Sequence, residues 1–152
     1  MTKPPLPKIG TITLDGVTLD LNHYLGREYD DVSEAALDLP SVAEWINEQL
    51  QAYTESYQIA KVSLAEAEAE TYFRLKKGQY DDDYGGKATE DALKRAVDLD
   101  PKVGKLNRDV AVLYAWCNRL RGIQENLRMK LELVRSTEAT RRAVFDSTKT
   151  DN

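Results

Sequence analysis

The sequence contains one cysteine, Cys117, and one histidine, His23, among 152 residues. A lone cysteine excludes an intrachain disulfide. Cys117 recurs with apolar residues at helical spacing, which is typical of a small side chain in the core, and its free thiol is typical of a reducing compartment. His23 lies in an acidic stretch without a second imidazole or a cysteine nearby, which favours a surface or packing histidine. The sequence therefore gives no indication of a zinc site or of an imidazole general base.

Motifs of catalysis are also missing. The sequence has no phosphate-binding loop, no nucleophile elbow and no zinc-ligand spacing. The run Asp81-Asp82-Asp83 lacks the spaced ligands and the closing Glu of a calcium-binding loop, which favours a solvated acidic turn. We expect a protein that is not an enzyme, with no catalytic residue, no bound metal and no cofactor.

Long apolar runs are absent as well, because no stretch approaches the length that crosses a membrane. The first residues include Pro4, Pro5 and Pro7 instead of the charged and then apolar leader of a secreted protein. We therefore expect a soluble, cytoplasmic protein without a membrane partner.

The charge of the chain is unevenly shared. Residues 1–100 hold 10 Lys and Arg against 20 Asp and Glu, whereas residues 101–152 hold 11 against 6. A basic last third after an acidic first two thirds of the chain indicates one of two things. Either the protein has an anionic partner, or the two parts neutralise each other within a subunit or between subunits.

Apolar residues recur at alternating steps of three and four in the last third of the chain. This heptad pattern is typical of a helix that packs along its whole length against other helices. The seam consists of Val103, Leu106, Val110, Leu113, Cys117, Leu120, Gln124, Leu127, Leu131 and Val134. Because a few long helices bury little surface alone, we also expect self-association. The residues predicted to serve it are Leu113, Leu120, Leu127, Leu131, Val134, Arg121, Arg128 and Arg135.

Four arginines, Arg121, Arg128, Arg135 and Arg142, recur every seven residues beside this seam. Such a stripe either pairs with acidic residues of a facing helix or forms a surface that meets an anion. The glutamates available for pairing on the first long helix are Glu48, Glu55, Glu66, Glu68 and Glu70. We favour pairing, which would set the register between helices.

The predicted organisation is an N-terminal arm at 1–39, a helical domain at 40–146 and a disordered tail at 147–152. In the arm, alternating residues around Asp15-Gly16 predict a β-hairpin. The predicted fold class is all-α, with two long helices plus a short one in an oligomerising domain, and with the small hairpin arm in front.

Capping signals predict the ends of the first long helix. Ser41 and Glu44 form a capping box at its start. No proline or glycine follows until Gly78, which fits the residue just past the helix end.

The later helices have their own start signals. Thr89 is expected to cap a short helix that ends near Leu99. Asp100 and Pro101 restart a last helix, which we expect to reach about Phe145.

The end of the first long helix carries the best local mix of cations and aromatic rings. Arg74, Lys76 and Lys77 stand beside Tyr72 and Phe73. Phosphates attract lysine and arginine, and unpaired bases stack on aromatic side chains. The alternative is a helix C-terminus whose cations suit the helix dipole, with the aromatic residues in the core.

Several packing motifs resemble, in order and spacing, the UvsY-like recombination mediators of T-even-type phages. The likeness covers roughly residues 40–140 and includes a first long helix of matching length that closes at Gly78, followed by a polar loop. The motifs that carry it are Ala43-Glu44-Trp45-Ile46-Asn47, Glu90-Asp91-Ala92-Leu93-Lys94 and Leu113-Tyr114-Ala115-Trp116-Cys117.

The resemblance implies a small all-α protein that forms a closed, heptameric ring in the cytoplasm of a phage host. Such mediators bind single-stranded DNA and help load a RecA-type recombinase where a single-strand-binding protein would otherwise occupy the strand. In the family, basic residues late in the first long helix contact DNA, where this chain has Glu68 and Glu70. The residues that would supply the contact here are Lys61, Arg74, Lys76 and Lys77, with Tyr72 and Phe73 for stacking.

The sequence therefore supports two hypotheses for the function. The leading hypothesis is a non-enzymatic mediator that binds single-stranded DNA as an oligomer. The alternative is a helical assembly or adaptor protein, or a virion structural protein, without nucleic-acid binding. Its working surface would be the acidic N-terminal half.

Overall fold

The fold is that of a computed structural model, which describes residues 10–26, 29, 32–79 and 89–150. It is all-α with two long helices, a shorter helix and a small N-terminal antiparallel β-hairpin, as predicted. The elements are β1 (Thr11–Leu14), β2 (Val17–Asp20), a π-helical turn (Asn22–Gly26), α1 (Val32–Arg74), a second π-helical turn (Leu75–Gln79), α2 (Glu90–Asp98) and α3 (Pro101–Thr150).

The hairpin forms where the sequence predicts it. Its register pairs Thr11 with Asp20 and Leu14 with Val17. The two turn residues, Asp15 and Gly16, both have positive φ, at 49° and 76°. Positive φ at both central positions is the requirement of the tight turn that matches the twist of two antiparallel strands, and Asp-Gly meets it at low cost.

Helix α1 begins earlier than predicted, at Val32, and runs through Pro40 without a break. The capping box at Ser41 is therefore wrong, since the Ser41 hydroxyl lies inside the helix and donates to the carbonyl oxygen of Leu37 at 3.1 Å. The predicted domain boundary between 39 and 40 also falls within this helix. The side chains that explain the extension are buried at helical spacing on both sides of the proline, namely Ala35, Leu39, Val42 and Ile46.

The end of α1 also differs in detail. The α-helix ends at Arg74, and the chain continues in the π-helical turn Leu75–Gln79, which contains Gly78. Gly78 is thus not the residue after the helix. Among the described glycines, positive φ occurs at Gly10 and Gly16. The acidic run at 81–83 and the rest of the polar loop lie outside the described residues.

The two later start signals are confirmed. The Thr89 hydroxyl accepts a hydrogen bond from the backbone N–H of Ala92 at 3.3 Å, which caps α2. The Asp100 carboxylate accepts the backbone N–H groups of Lys102 at 2.8 Å and Val103 at 3.3 Å at the start of α3. Because both side chains satisfy free N–H groups of a first helical turn, local sequence was enough to predict them.

Helix α3 continues beyond the predicted end near Phe145 as far as Thr150. Most of the segment predicted as a disordered tail is therefore helical, and residues 151–152 lie outside the described part. No capping residue or proline stops the helix between these two points, so its backbone bonding continues.

The chain separates into two compact units. Unit 1 comprises residues 1–50 and 119–152, and unit 2 comprises residues 51–118. In unit 1, each helix segment contributes side chains with almost no exposure, including Leu39 at 1 %, Ile46 at 0 %, Leu120 at 0 % and Leu127 at 1 %.

Unit 2 has a smaller core. Ala67, Val97 and Val103 are buried together, with Leu64, Tyr72, Leu75 and Leu106 packed against them. Within this unit α1 and α3 run antiparallel, since Tyr53 lies against Trp116 at 5.8 Å between ring centroids and Tyr57 against Tyr114 at 5.7 Å. No residue is buried between 51 and 66 of α1 or between 104 and 116 of α3.

Candidate functional site

The predicted cluster at the end of α1 is joined to α2 through Tyr72. The Tyr72 hydroxyl donates to the Glu90 carboxylate at 2.6 Å. Lys76 Nζ donates to the same hydroxyl at 3.2 Å and lies 5.3 Å from the ring centroid. The Tyr72 hydroxyl and the nearby Glu90 charge raise the pKa of Lys76, so this amine is fully protonated at neutral pH.

Arg74 connects the cluster to α3. Its Nη2 lies 2.7 Å from Asp100 Oδ2, and Asp100 is also the cap of α3. Partial burial of the carboxyl opposes ionisation. The Arg74 guanidinium and the backbone N–H groups of Val103 and Lys102 outweigh it, and they lower the pKa of Asp100 below its ordinary value. Arg74 is thus committed to a structural ion pair.

The two glutamates in the positions where the resemblance implies basic residues have different environments. Glu70 pairs with Lys102 at 2.9 Å, and the hydrogen bond and charge of Lys102 lower the pKa of Glu70. Both side chains are largely exposed, so the pair is weak and screened by salt. Glu68 is half-buried on the rim of a groove between α1 and α2.

Phe73 and Lys77 are the members of the cluster most accessible to a ligand. Phe73 is 59 % exposed and meets the Tyr72 ring edge-on at 5.7 Å. Lys77 is exposed and has no ion pair with any residue in the described part of the chain. A flat ring and an exposed ammonium four residues apart are suited to a base and a phosphate.

Lys61 is not brought to this cluster. It lies over the Tyr57 ring, 5.6 Å from the centroid. Eleven residues of helix separate it from Tyr72, which corresponds to about 16 Å at the rise of an α-helix. Two cations that the prediction missed, Lys94 and Lys102, belong to unit 2 and lie nearer, but no local pattern linked them to the end of α1.

An open groove of about 540 Å³ lies beside Phe73. Its walls come from α1 and α2. The lining residues are Ala65, Glu68, Ala69, Tyr72, Phe73, Lys94, Val97 and Asp98. With two carboxylates and one ammonium on its rim, the groove itself disfavours a phosphate, whereas its aromatic edge suits a stacked base.

Two arginines of the stripe have acidic partners on their own helix. Arg128 forms its ion pair with Glu125 at 2.8 Å, and Arg142 with Glu138 at 3.1 Å, both within α3 itself. Within one chain, these two arginines therefore pair inside α3 and not with the glutamates predicted on the first long helix. Arg121 and Arg135 are exposed on the same stripe. Residues three or four positions apart on a helix are neighbours on its surface, which accounts for both pairs.

The predicted oligomerisation seam lies largely in the core of the single chain. Leu120, Leu127 and Val134 are buried within unit 1. Leu131 is half-buried in the same unit, and Leu113 is half-buried in unit 2. The chain's own packing therefore buries three of these five apolar side chains and half-buries the other two.

No protein-family model matches the chain, and no match is found among curated proteins or among solved structures. Among the described residues, no helix is long and apolar enough to cross a membrane. No set of at least three His, Cys, Asp or Glu side chains converges on a metal position in the same part of the chain.

Proposed function

We propose that this chain is a non-enzymatic recombination mediator that binds single-stranded DNA and helps to load a RecA-type recombinase. The observation that carries the proposal is the end of α1, where the exposed ring of Phe73 lies beside Lys76 and Lys77. The order and spacing of the motifs at 43–47, 90–94 and 113–117, which resemble UvsY-like mediators, support the same function.

Binding without sequence preference needs two kinds of contact. Lys76 and Lys77 supply cations to the phosphates, and Phe73 supplies a face on which a base stacks. Arg74 and Lys102 are held in ion pairs, so each contributes less to a phosphate. One copy therefore binds weakly, and several copies acting on one strand would raise the affinity through effective concentration.

The second candidate is a helical assembly or adaptor protein without affinity for nucleic acid. It is favoured by the neutralisation of Arg74 by Asp100 and of Lys102 by Glu70, which removes two of the cations that a strand would use. The two candidates differ in one measurable property, binding to DNA.

The experiment is fluorescence anisotropy of a labelled oligo-dT strand across a salt series. We expect affinity to fall steeply between about 50 and 200 mM salt for the native protein. The double variant Lys76→Gln, Lys77→Gln should lower the slope of log affinity against log salt by about 1.4, since each lost phosphate contact on a single strand removes about 0.7. Phe73→Ala should weaken binding by roughly 1–3 kcal/mol with the slope unchanged.

The matched control is Arg128→Gln, Arg135→Gln, which removes the same charge from α3. It should leave the affinity and the slope close to those of the native protein. No binding at low salt would refute DNA binding and favour the adaptor. An equal loss in the control would place the site on the arginine stripe instead. Stimulation of recombinase assembly on a strand coated by single-strand-binding protein tests the loading step.

A further inference from the structure

Unit 2 leaves large apolar side chains uncovered on α1 and on α3. Ile59 is 67 % exposed, Val62 59 % and Val112 57 %. On a helix of 3.6 residues per turn, Val62 lies on the face opposite Tyr57, and Val112 lies on the face opposite Val110. The inward faces of both helices pack within the unit, whereas the outward faces with these apolar side chains are exposed.

The outward face of α1 is acidic and apolar. Its positions follow steps of four, three and four, and they are Glu55, Ile59, Val62 and Glu66. All are exposed, and Glu66 has no ion pair with any residue that the structure describes. We refer to these four residues as the acidic stripe.

The outward face of α3 in the same unit has the opposite charge. Its positions follow steps of three, four and three, and they are Lys105, Arg108, Val112 and Ala115. All four are exposed, and within the described ranges neither Lys105 nor Arg108 has an ion pair. We refer to these four residues as the basic stripe.

We propose that a second copy of this chain docks its basic stripe antiparallel onto the acidic stripe. In one register Val62 faces Val112, and the neighbouring steps of three and four then fall opposite each other. Ile59 faces Ala115 on one side of this pair, and Glu66 faces Arg108 on the other. The apolar residues of the two stripes thus meet one another, and an acid meets a base.

Their opposite charges favour contact between the acidic stripe of one copy and the basic stripe of the next over contact between two identical stripes. Two acidic stripes would bring Glu55 and Glu66 against their own copies, and two basic stripes would bring Lys105 and Arg108 together, which is repulsive in both cases. A contact between different faces of identical chains is heterologous, so it repeats from copy to copy until it closes into a ring or grows as a filament.

The low burial of these two helix segments also favours contact with a second copy. The stretch 51–66 of α1 and 104–116 of α3 has no buried residue within the single chain. Two helices alone expose most of their surface, whereas a third helix on the outer face of each encloses the apolar positions, as in a bundle. The biological role of this assembly surface rests on the proposed function.

The test is a charge swap read by sedimentation velocity. The native protein should sediment as a multimer. Glu66→Arg and Arg108→Glu should each weaken association about tenfold or more, because each sets like charges against one another. The double variant Glu66→Arg, Arg108→Glu should recover association, since the swapped charges again face opposite charges in the neighbouring copy.

The control is Glu132→Arg, which makes the same change in net charge as Glu66→Arg but lies on the part of α3 that belongs to unit 1, outside both stripes. It should leave the mass unchanged, and circular dichroism should show native helix content in every variant. A monomeric native protein, or a double variant no better than the single ones, would overturn the proposed contact. Val62→Ser tests it without a charge change and should also dissociate the multimer.

Association and DNA binding are measured separately, so the two proposals can fail independently. A native multimer dissociated by Glu66→Arg, but without affinity for oligo-dT, retains the assembly surface and refutes the mediator. A monomer that binds oligo-dT through Lys76 and Lys77 refutes the assembly surface and retains DNA binding.

Discussion

The two units use the same seven-residue pattern with different results. In unit 1 the seam leucines Leu120 and Leu127 have 0 % and 1 % of their surface exposed, and three residues of the hairpin region, Ile12, Leu14 and Leu21, are buried as well. In unit 2 the seam residues Leu106, Val110 and Leu113 are only half-buried. A heptad pattern therefore specifies which face of a helix turns inward, while the number of surrounding elements decides how much of it is covered.

The strongest test of this comparison is a matched pair of truncations on the seam. Leu120→Ala should lower the free energy of unfolding by about 2–5 kcal/mol, because it opens a cavity in a closed core. Leu113→Ala should cost clearly less, since part of its side chain already contacts water. Urea denaturation followed by circular dichroism measures both. Equal costs would show that the seam is covered to the same extent in both units.

A smaller effect is expected from acid, through the ion pairs of unit 2. The pKa values of Asp100 and Glu70 are lowered in the folded protein, so their contributions are complete above the ordinary carboxyl values of 3.8 and 4.5. Both contributions are lost as the pH falls through the lower folded values. Stability should thus decline below about pH 4.

The variant Asp100→Asn isolates one of these pairs while it keeps a capping oxygen at the start of α3. It should be less stable than the native protein near pH 7, and the difference should vanish at low pH, where the native carboxyl is protonated. Thermal denaturation across the pH range checks this convergence. A constant difference at all pH values would mean that the cap matters and the charge does not.

The smallest effect is expected at the arginine stripe of unit 1. Arg128→Gln removes an exposed pair with Glu125 within one helix, so it should change stability by only about 0.3–0.5 kcal/mol. The change should shrink further in high salt, and the melting temperature measures it. A loss above about 1 kcal/mol would indicate a partner on another helix.

Local signals predicted the parts of the fold that depend on a few neighbouring residues. The Asp15-Gly16 turn, the Thr89 cap and the Asp100 cap all lie where the sequence indicates, because each satisfies a backbone requirement within four residues. The start of α1 did not follow from local signals. Ser41 looks like a cap and Pro40 like a break, yet burial of Ala35 and Leu39 keeps the helix intact through both.

The candidate site was also predictable only in its local part. The cluster of Tyr72, Phe73, Arg74, Lys76 and Lys77 was visible in the sequence because its members are adjacent. Their partners were not visible, since Glu90 and Asp100 are separated from them by a loop and belong to other helices. Which cation remains accessible therefore emerged only when the elements were assembled.

For this protein, the sequence alone determined the helical class, the hairpin, two caps and the inward face of α3. These features are set by backbone hydrogen bonding and by the spacing of apolar residues along one element. Tertiary structure decided the length of α1, the partners of the cations and the depth of burial along the seam. Each of these depends on residues far apart in the chain, whose free energies of contact outweigh local preference.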